Sequence, residues 1–378
     1  MVQPVAAGSI PCPAERLITW GTACLRAAGV AEADARLVAD SLVQTNLWGI
    51  DSHGIARLTH YLNRIVHGSI KAAPNIVVTH TGPCTAQVAG DQGLGIVVAH
   101  RAMEVAIEQA RAQGIGAVGV ADSSHCGAVG LYARSAARQG LIGMAFTHSD
   151  KIAAPHGGHQ PFLGTNPIAM AFPRAAPDAE PPQGGRAPLG GPARSAVGAQ
   201  VYSEPVCLDM ATTPIPWNRV MNARREGHVL PDDVAVDAAG APTTDAHAAA
   251  ALRPLGGLEY GHKGYGLALI VELLCGPLNG NLWGPQIGPM YAELTRPRRI
   301  GAFFVAIDPM RFAGGAALAA TVEQIARALA AQPGEVLMPG DPELAEQARR
   351  RAHGVPIEPG LRDEMRAWSE RLKVAAPL

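Results

Sequence analysis

The protein has 378 residues, of which 48% are hydrophobic, 17% charged and 4% aromatic, and its formal net charge is −1. A chain this long can bury a large core and form two or three domains, while the balanced charge argues against a nucleic-acid binder, which needs a surplus of Lys and Arg on one face. No charge-free run of about 18 apolar residues is present, and the first residues show neither a basic segment nor a continuous apolar stretch, so neither a membrane partner nor a signal peptide is expected. Six widely spaced cysteines, at 12, 24, 84, 126, 207 and 275, include no Cys-x-x-Cys pair and indicate reduced thiols in a cytoplasmic protein.

In chain order, apolar residues at three- and four-residue spacing predict helices over 14–28 and 32–47, joined by Gly29. Asp51-Ser52 then offers an N-cap for a third helix with the stripe Ile55, Leu58, Leu62 and Ile65, closed by Gly68. From about Pro83 strands and helices alternate. Strands are expected at 86–89, 115–121, 142–147, 167–172 and 206–210, with helices at 95–113 and 130–139, which is the texture of an α/β layer structure. Residues 174–200, rich in Pro, Gly and Ala, read as a mobile surface insertion without function. A turn-rich stretch to Thr244, a Gly-rich loop at 256–266 and a helix at about 266–276 follow. A late strand at 303–307 precedes a helical tail from Ala316.

Two patterns are decoys. Gly114-Ile115-Gly116-Ala117-Val118-Gly119 matches G-x-G-x-x-G, but it follows a helix and runs into a strand, the reverse of a dinucleotide fingerprint. His148, His156 and His159 suggest a metal-dependent hydrolase as an alternative, yet their spacing fits no helical zinc motif, and no metal is expected. Cys126, directly after His125, reads as a small buried residue rather than a thiol nucleophile. More informative are His53, Arg57 and Tyr61, which at i, i+4 and i+8 would share one helical face. Arg offers a fork for a small carboxylate and His exchanges a proton near neutral pH, although a solvated polar face gives the same spacing. A protein that binds its ligand without turning it over also fits this pattern.

Asp51-Ser52-His53-Gly54-Ile55-x-Arg57-Leu58, with Tyr61 and Gly68, resembles the opening motif of the type-2 malate/L-lactate dehydrogenases, a family that includes ureidoglycolate and L-sulfolactate dehydrogenases and Δ1-piperideine-2-carboxylate reductases. Ser124-His125-Cys126-Gly127-Ala128, Leu163-Gly164-Thr165-Asn166-Pro167 and Leu208-Asp209-Met210-Ala211-Thr212-Thr213 are similar to further family blocks, as are Pro242-Thr243-Thr244-Asp245 and Lys263-Gly264-Tyr265-Gly266. Thr81-Gly82-Pro83-Cys84 and Pro339-Gly340 lie closest to the ureidoglycolate branch. The resemblance implies a homodimer with an α/β, non-Rossmann dinucleotide-binding fold, in which a mixed, largely antiparallel sheet is flanked by helices. A helical domain from the N- and C-terminal parts completes it. The expected division is 1–80, 81–315 and 316–378.

The resemblance also implies NAD or NADP, with NAD favoured, and transfer of a hydride to or from C2 of a small 2-hydroxy or 2-keto acid of malate or lactate type. Reduction of cyclic imino acids and ureidoglycolate-type oxidation are the alternatives. His125, Cys126, Gly127, Ala128, Val129, Ser149, Asp209, Met210, Ala211, Lys263, Gly340, Asp341 and Pro342 would contact the dinucleotide. Asp209 as an ordinary helix cap and Lys263 as a surface charge are the plainer alternatives. Arg57, Tyr61 and Thr165 would bind substrate, and His53, oriented by Ser52, or His125 would move the proton. Many members continue the Asp209 block with Gly and a Lys, Glu or Asp, where this chain has Pro214-Ile215-Pro216-Trp217-Asn218-Arg219. Trp217 and Arg219 are therefore expected to alter the substrate pocket. Arg296, Arg298 and Arg299 could meet a 2′-phosphate, although such a run more often forms a solvated surface.

Overall fold

The computed structural model describes residues 8–176 and 202–378. Its elements run β1 (Ile10–Cys12), α1 (Ala14–Ala27), α2 (Glu32–Leu47), α3 (Ala56–Val66), β2 (Val77–Gly82), β3 (Thr85–Ala89), α4 (Gly95–Gln113), β4 (Ile115–Ser123) and α5 (Gly130–Arg138). Next come β5 (Ile142–Thr147), β6 (Ile168–Ala175), β7 (Tyr202–Met210), α6 (Trp217–Glu226), β8 (Ala235–Val236), β9 (Ala251–Leu252) and α7 (Gly257–Cys275). The last are β10 (Ile300–Ile307), α8 (Gly315–Ala330), α9 (Asp341–His353), β11 (Val355–Ile357) and α10 (Pro359–Leu372).

The central sheet has seven strands in the order β2-β3-β4-β10-β5-β6-β7. Only β3 and β4 pair in parallel; every other neighbouring pair is antiparallel. This is the mixed, largely antiparallel sheet of the expected fold class, and no Rossmann crossover series is present among the described residues. On one face α4 and α5 bury Val98, Ala102, Ala106, Tyr132 and Ala136 against Val118, Val120, Ala145 and Phe304. On the other α7 brings Val271 and Cys275 against Phe146 and Ile168. No described helix is long and apolar enough to cross a membrane.

The glycines of the G-x-G-x-x-G run have packing reasons. Gly114 ends α4 at φ +95°, the left-handed conformation that glycine adopts without strain. At Gly116 a Cβ would lie 2.1 Å from the Ala106 carbonyl oxygen of α4, and at Gly119 1.8 Å from Asn279 Oδ1. The run lets a helix and a loop approach a strand; it opens no phosphate-binding helix.

The terminal regions meet. β1 pairs antiparallel with β11 through Ile10↔Ile357 and Cys12↔Val355. Leu17, Trp20, Leu42 and Leu58 of the first three helices pack with Met365 and Trp368 of α10 in one buried cluster.

Five local expectations are corrected. Asp51-Ser52 does not cap α3: residues Asp51–His53 form a separate 3-10 turn, and α3 begins after Ile55 without a side-chain cap. His53 therefore stands before the helix that carries Arg57 and Tyr61. The stretch at 256–266 is largely helix, because α7 starts at Gly257; Gly264 lets it pack where a Cβ would lie 2.3 Å from the Leu255 carbonyl. The turn-rich segment contains α6, whose Val220 and Ala223 are buried. β1, β2 and β11 had no counterpart in the sequence reading. Finally, Arg174 and Ala175 belong to β6, where Arg174 Nε meets Glu323 Oε2 at 2.6 Å; the remainder of the expected insertion, from 177 to 200, lies outside the described residues.

Candidate active site

The 3-10 turn and the loop after β4 bring two histidines face to face. The rings of His53 and His125 stack with centroids 5.5 Å apart and planes 27° from parallel. Ser52 Oγ lies 2.9 Å from His53 Nδ1, and Tyr61 Oη lies 2.8 Å from His125 Nδ1. Arg57 Nε donates to the Ser52 carbonyl at 2.5 Å, and its Nη1 donates to the Tyr291 hydroxyl. Of the expected catalytic and substrate residues, Ser52, His53, Arg57, Tyr61 and His125 thus form one connected group. No hydrogen bond joins Thr165 to this group among the described residues; its carbonyl accepts from the Thr212 N–H and hydroxyl at 2.9 and 2.8 Å.

One contact fixes a tautomer. The Gly127 N–H donates to His125 Nδ1 at 3.3 Å. An amide can only donate, so His125 Nδ1 carries a lone pair and the proton of the neutral ring is on Nε2. Tyr61 then donates to the same nitrogen. Burial raises the Tyr61 phenol well above its ordinary value, which keeps that proton in place. Gly127 makes the contact with φ +73°.

The site is cationic yet its histidines are neutral. Burial first, and the Arg57 charge second, pull His53 down to about 3. Burial, then His53 and Arg57, hold His125 well below its ordinary value. His60, on α3, is lowered to about 3 by burial and by Arg64, Arg298 and Arg57. Against these three buried arginines stands the carboxylate of Asp150, which pairs with Arg298. Arg57 has no carboxylate partner among the described residues. A cavity of about 700 Å³ borders the Ser52 and Arg57 side of the group and is lined in part by Ser52, Arg57, His60, Asn218, Arg219 and Tyr291.

The expected dinucleotide residues fall mainly around the start of α5. Asp209 Oδ2, at the end of β7, accepts the Gly130 N–H at 2.9 Å, so it does cap this helix. Burial raises its carboxyl to about 6, with the Gly130 hydrogen bond opposing. The N–H groups of Ala128 and Val129, ahead of α5, have no partner among the described residues, and such amides favour an anionic oxygen. Gly340, at φ +103° before α9, faces Cys207 of β7 and Arg134 of α5. Asp341 Oδ2 accepts the Met338 N–H at 3.0 Å, and Pro342 occupies the first turn of α9. Met210 and Ala211 follow Asp209 at the edge of the sheet.

Ser149 and Asn166 approach each other at Gly164, where a Cβ would lie 2.3 Å from Ser149 Oγ and 2.7 Å from Asn166 Oδ1. Both oxygens are buried without a hydrogen-bond partner. Unpaired buried oxygens at this density ask for a ligand with polar hydrogens, which an amide-bearing ring supplies. Together with the free amides before α5, they fit a nicotinamide dinucleotide. Lys263 is on the exposed side of α7 with its Nζ 5.2 Å from the Tyr260 ring centre, and no contact joins it to this group.

Other candidates resolve differently. His148 is sealed: Nδ1 meets Glu272 Oε1 at 3.0 Å and Nε2 accepts the Gly301 N–H at 2.8 Å. It has no ring nitrogen left for a metal, and no cluster of three metal-binding side chains occurs among the described residues. Arg298 is buried rather than solvated, Arg296 pairs with Glu293 at 3.0 Å, and Arg299 pairs with Asp122 at 3.1 Å. Trp217 packs with the α6 cluster and stacks under Arg224, while Arg219 does line the cavity. Burial pushes the Cys126 thiol up to about 11.

Sequence reasoning missed Tyr291, His60 and the Asp150–Arg298 pair, which lie far from the motifs in the chain. It also missed Asn46 and Arg350. The Asp51 carboxylate receives Asn46 Nδ2 at 2.5 Å and both terminal nitrogens of Arg350, at 2.6 and 2.8 Å.

With this geometry in place, the comparisons with known proteins are specific. The malate/L-lactate dehydrogenase family model matches residues 12–181 and 175–366. The chain is 37% identical over 311 residues to a malate dehydrogenase of Pyrococcus horikoshii, covering 80% of this chain and 78% of that one. It is 34% identical over 355 residues to the L-sulfolactate dehydrogenase of Methanothermobacter thermautotrophicus, covering 93% and 94%. It is also 34% identical over 335 residues to a ureidoglycolate dehydrogenase (NAD(+)) of Escherichia coli O157:H7, covering 87% of each. The solved structure of the P. horikoshii malate dehydrogenase superposes with a TM-score of 0.83 at 31% identity, covering 99% of both chains. The fold is that of a dehydrogenase class. The protein belongs to the malate/L-lactate dehydrogenase family.

Proposed function

We propose that the protein is an NAD(P)-dependent 2-hydroxy-acid dehydrogenase, a cytoplasmic homodimer that favours NAD. The observation that carries this reading is a stacked pair of half-buried neutral imidazoles, one with a fixed tautomer, beside an arginine that lacks a carboxylate partner among the described residues. The relatives support the reaction class, and apolar side chains left exposed on α7, such as Leu267, Ile270 and Leu273, support a second copy.

Arg57 would hold the substrate carboxylate with the nitrogen that neither Ser52 nor Tyr291 occupies. His125 would donate its Nε2 hydrogen to the oxygen on C2. If His53 Nδ1–H donates to Ser52 Oγ, Nε2 of His53 keeps its lone pair and takes the hydroxyl proton in oxidation, returning it in reduction. An incoming anion offsets the Arg57 charge and lifts His53 from its lowered value. The nicotinamide, when bound, exchanges the hydride at C2. Ala128 and Val129 would hold its phosphates, the free Asp209 oxygen a ribose hydroxyl, and Ser149 and Asn166 its carboxamide.

Three buried arginines around His60 and His125 against one carboxylate favour a substrate with a second anionic group. The malate type is therefore preferred to the lactate type. A panel with NADH and NADPH against oxaloacetate, pyruvate and Δ1-piperideine-2-carboxylate tests the whole reading. Turnover of oxaloacetate above pyruvate, with NADH, is the expected result. Turnover of the cyclic imine alone would replace it with the imino-acid reductase alternative.

A further inference from the structure

We infer that Asn46 and Arg350 are positioning residues that hold the catalytic turn, an assignment that rests on the reading of His53 given above. The turn at 51–55 is wrapped around a single side chain. Asn46 Nδ2 donates to Asp51 at its start, and Asn46 Oδ1 accepts the Ile55 N–H at its end at 2.6 Å. Ser52, His53 and Gly54 are the residues between these two points. Gly54 is required by this arrangement: a Cβ there would lie 2.3 Å from the Asn46 carboxamide.

The second half of the clamp comes from the other end of the chain. Arg350, 1% exposed, grips both Asp51 oxygens and donates to the Asn46 carbonyl at 2.8 Å. Glu346, one turn earlier on α9, accepts from Arg350 Nε and from Arg349 at 2.6 and 2.7 Å. It also lies against Gly49, where a Cβ would come within 2.9 Å of its Cγ. A buried arginine bound in two directions has a single rotamer, so the Asp51 carboxylate has one place to be. Asp51, Asn46 and Arg350 touch neither ring. They act through the backbone that carries Ser52 and His53, and through the Ser52 carbonyl that anchors Arg57.

The prediction separates this role from general stability. In Arg350→Lys the charge remains and the two-pronged grip is lost; in Asp51→Asn one charged acceptor is lost with little change of volume. Both variants should keep a cooperative thermal transition and bind NADH, measured by protein fluorescence, as the parent does, because the residues around α5 are untouched. Their kcat for 2-keto acid reduction should fall by about 100-fold, the scale on which a misplacement of about 1 Å acts. The Cε1–H resonance of His53, assigned by its loss in His53→Gln, should titrate nearer the ordinary histidine value in both variants, as water enters the loosened turn. Arg350→Ala is expected to be less stable and serves only as a second comparison.

Folded Arg350→Lys and Asp51→Asn proteins with parental kcat and an unmoved His53 titration would overturn the assignment. Failure of the parent to reduce any 2-keto acid would instead sink the functional reading. The titration of His53 would still report whether the clamp holds the turn.

Discussion

Two histidine centres lie in this molecule, one buried and one half-buried, and they are built on opposite terms. His148 is closed on both ring nitrogens, by Glu272 and by the Gly301 amide, and Glu272 is in turn held by Asn166 at 2.7 Å and the Gly284 N–H at 2.7 Å. Burial alone would raise the Glu272 carboxyl, but the hydrogen bonds from His148, Gly284 and Asn166 act against it, and it lies below its ordinary value. His53 and His125 have no carboxylate partner among the described residues. Their neighbours are each other, two hydroxyls, an amide and arginines. A fully satisfied pair with no vacant ring nitrogen stabilises a fold, whereas a neutral pair with an unpaired cation beside it is arranged for an anion that arrives later.

The sharpest way to break that contrast is to exchange the expected effects. His53→Gln should lower kcat by roughly 10²–10⁴-fold, the usual worth of a positioned acid or base, with little change in melting temperature; single-turnover and steady-state rates would check it. Glu272→Ala should do the reverse. Removing one partner of a buried pair costs about 3–5 kcal/mol, readable by urea unfolding, while turnover per folded molecule changes far less. Equal losses of activity in the two variants would erase the distinction.

Acid sharpens the comparison further. His53 and His60 sit at about 3 in the fold against about 6.5 in the unfolded chain. Above pH 6.5 both states leave them neutral and nothing is at stake. As pH falls from 6.5 towards 3 the unfolded chain takes up protons that the fold refuses, and stability declines, by at most about 2 kcal/mol per histidine at pH 5. Asp209, raised to about 6, acts in the opposite sense between pH 6 and 4 and offsets a part. Glu272 loses its contribution only below the ordinary carboxylate range. Melting curves at pH 7.5 and 5 should therefore show a drop that His53→Gln diminishes.

Two smaller effects complete the set. Gly127→Ala places a side chain at φ +73°, where strain is about 1–2 kcal/mol, although Ile96 leaves ordinary contact distance. A modest fall in melting temperature and in kcat is expected, the latter from a weaker hold on the His125 tautomer. Alkylation of the native protein with iodoacetamide at pH 7.5 should leave turnover unchanged at Cys126, whose thiol is 3% exposed for the residue and raised to about 11. Rapid inactivation that Cys126→Ser abolishes would mean the loop after β4 opens far more than this structure shows.

Much of this was legible in the chain, for identifiable reasons. The sequence reading placed α2, α4 and β5 at their observed bounds, because long apolar periodicities end at glycines or at polar breaks. The stacked pair was legible only in part: His53 and His125 were both named, but the neutral tautomer of His125 depends on where the Gly127 amide points. Where glycine served packing, the reading failed. Gly264 and Gly266 suggested a loop, yet Gly264 belongs to a helix pressed onto Leu255. The three-residue strands β1 and β11 have no local signal, since each exists only because the other lies beside it. Asn46 reads as a polar residue near the end of an amphipathic helix, and Arg350 as one of three consecutive arginines. Nothing local says that they meet.

That meeting has a consequence for how the molecule is made. The turn bearing His53 is synthesised within the first sixth of the chain, yet the arginine that fixes it is at position 350, and β11 follows only at 355. A ribosome-bound fragment can complete every strand of the seven-stranded sheet by residue 307 while the turn that bears His53 still lacks Arg350. On the proposed role of His53, chemistry would be withheld from incomplete chains until almost the last segment has emerged and docked.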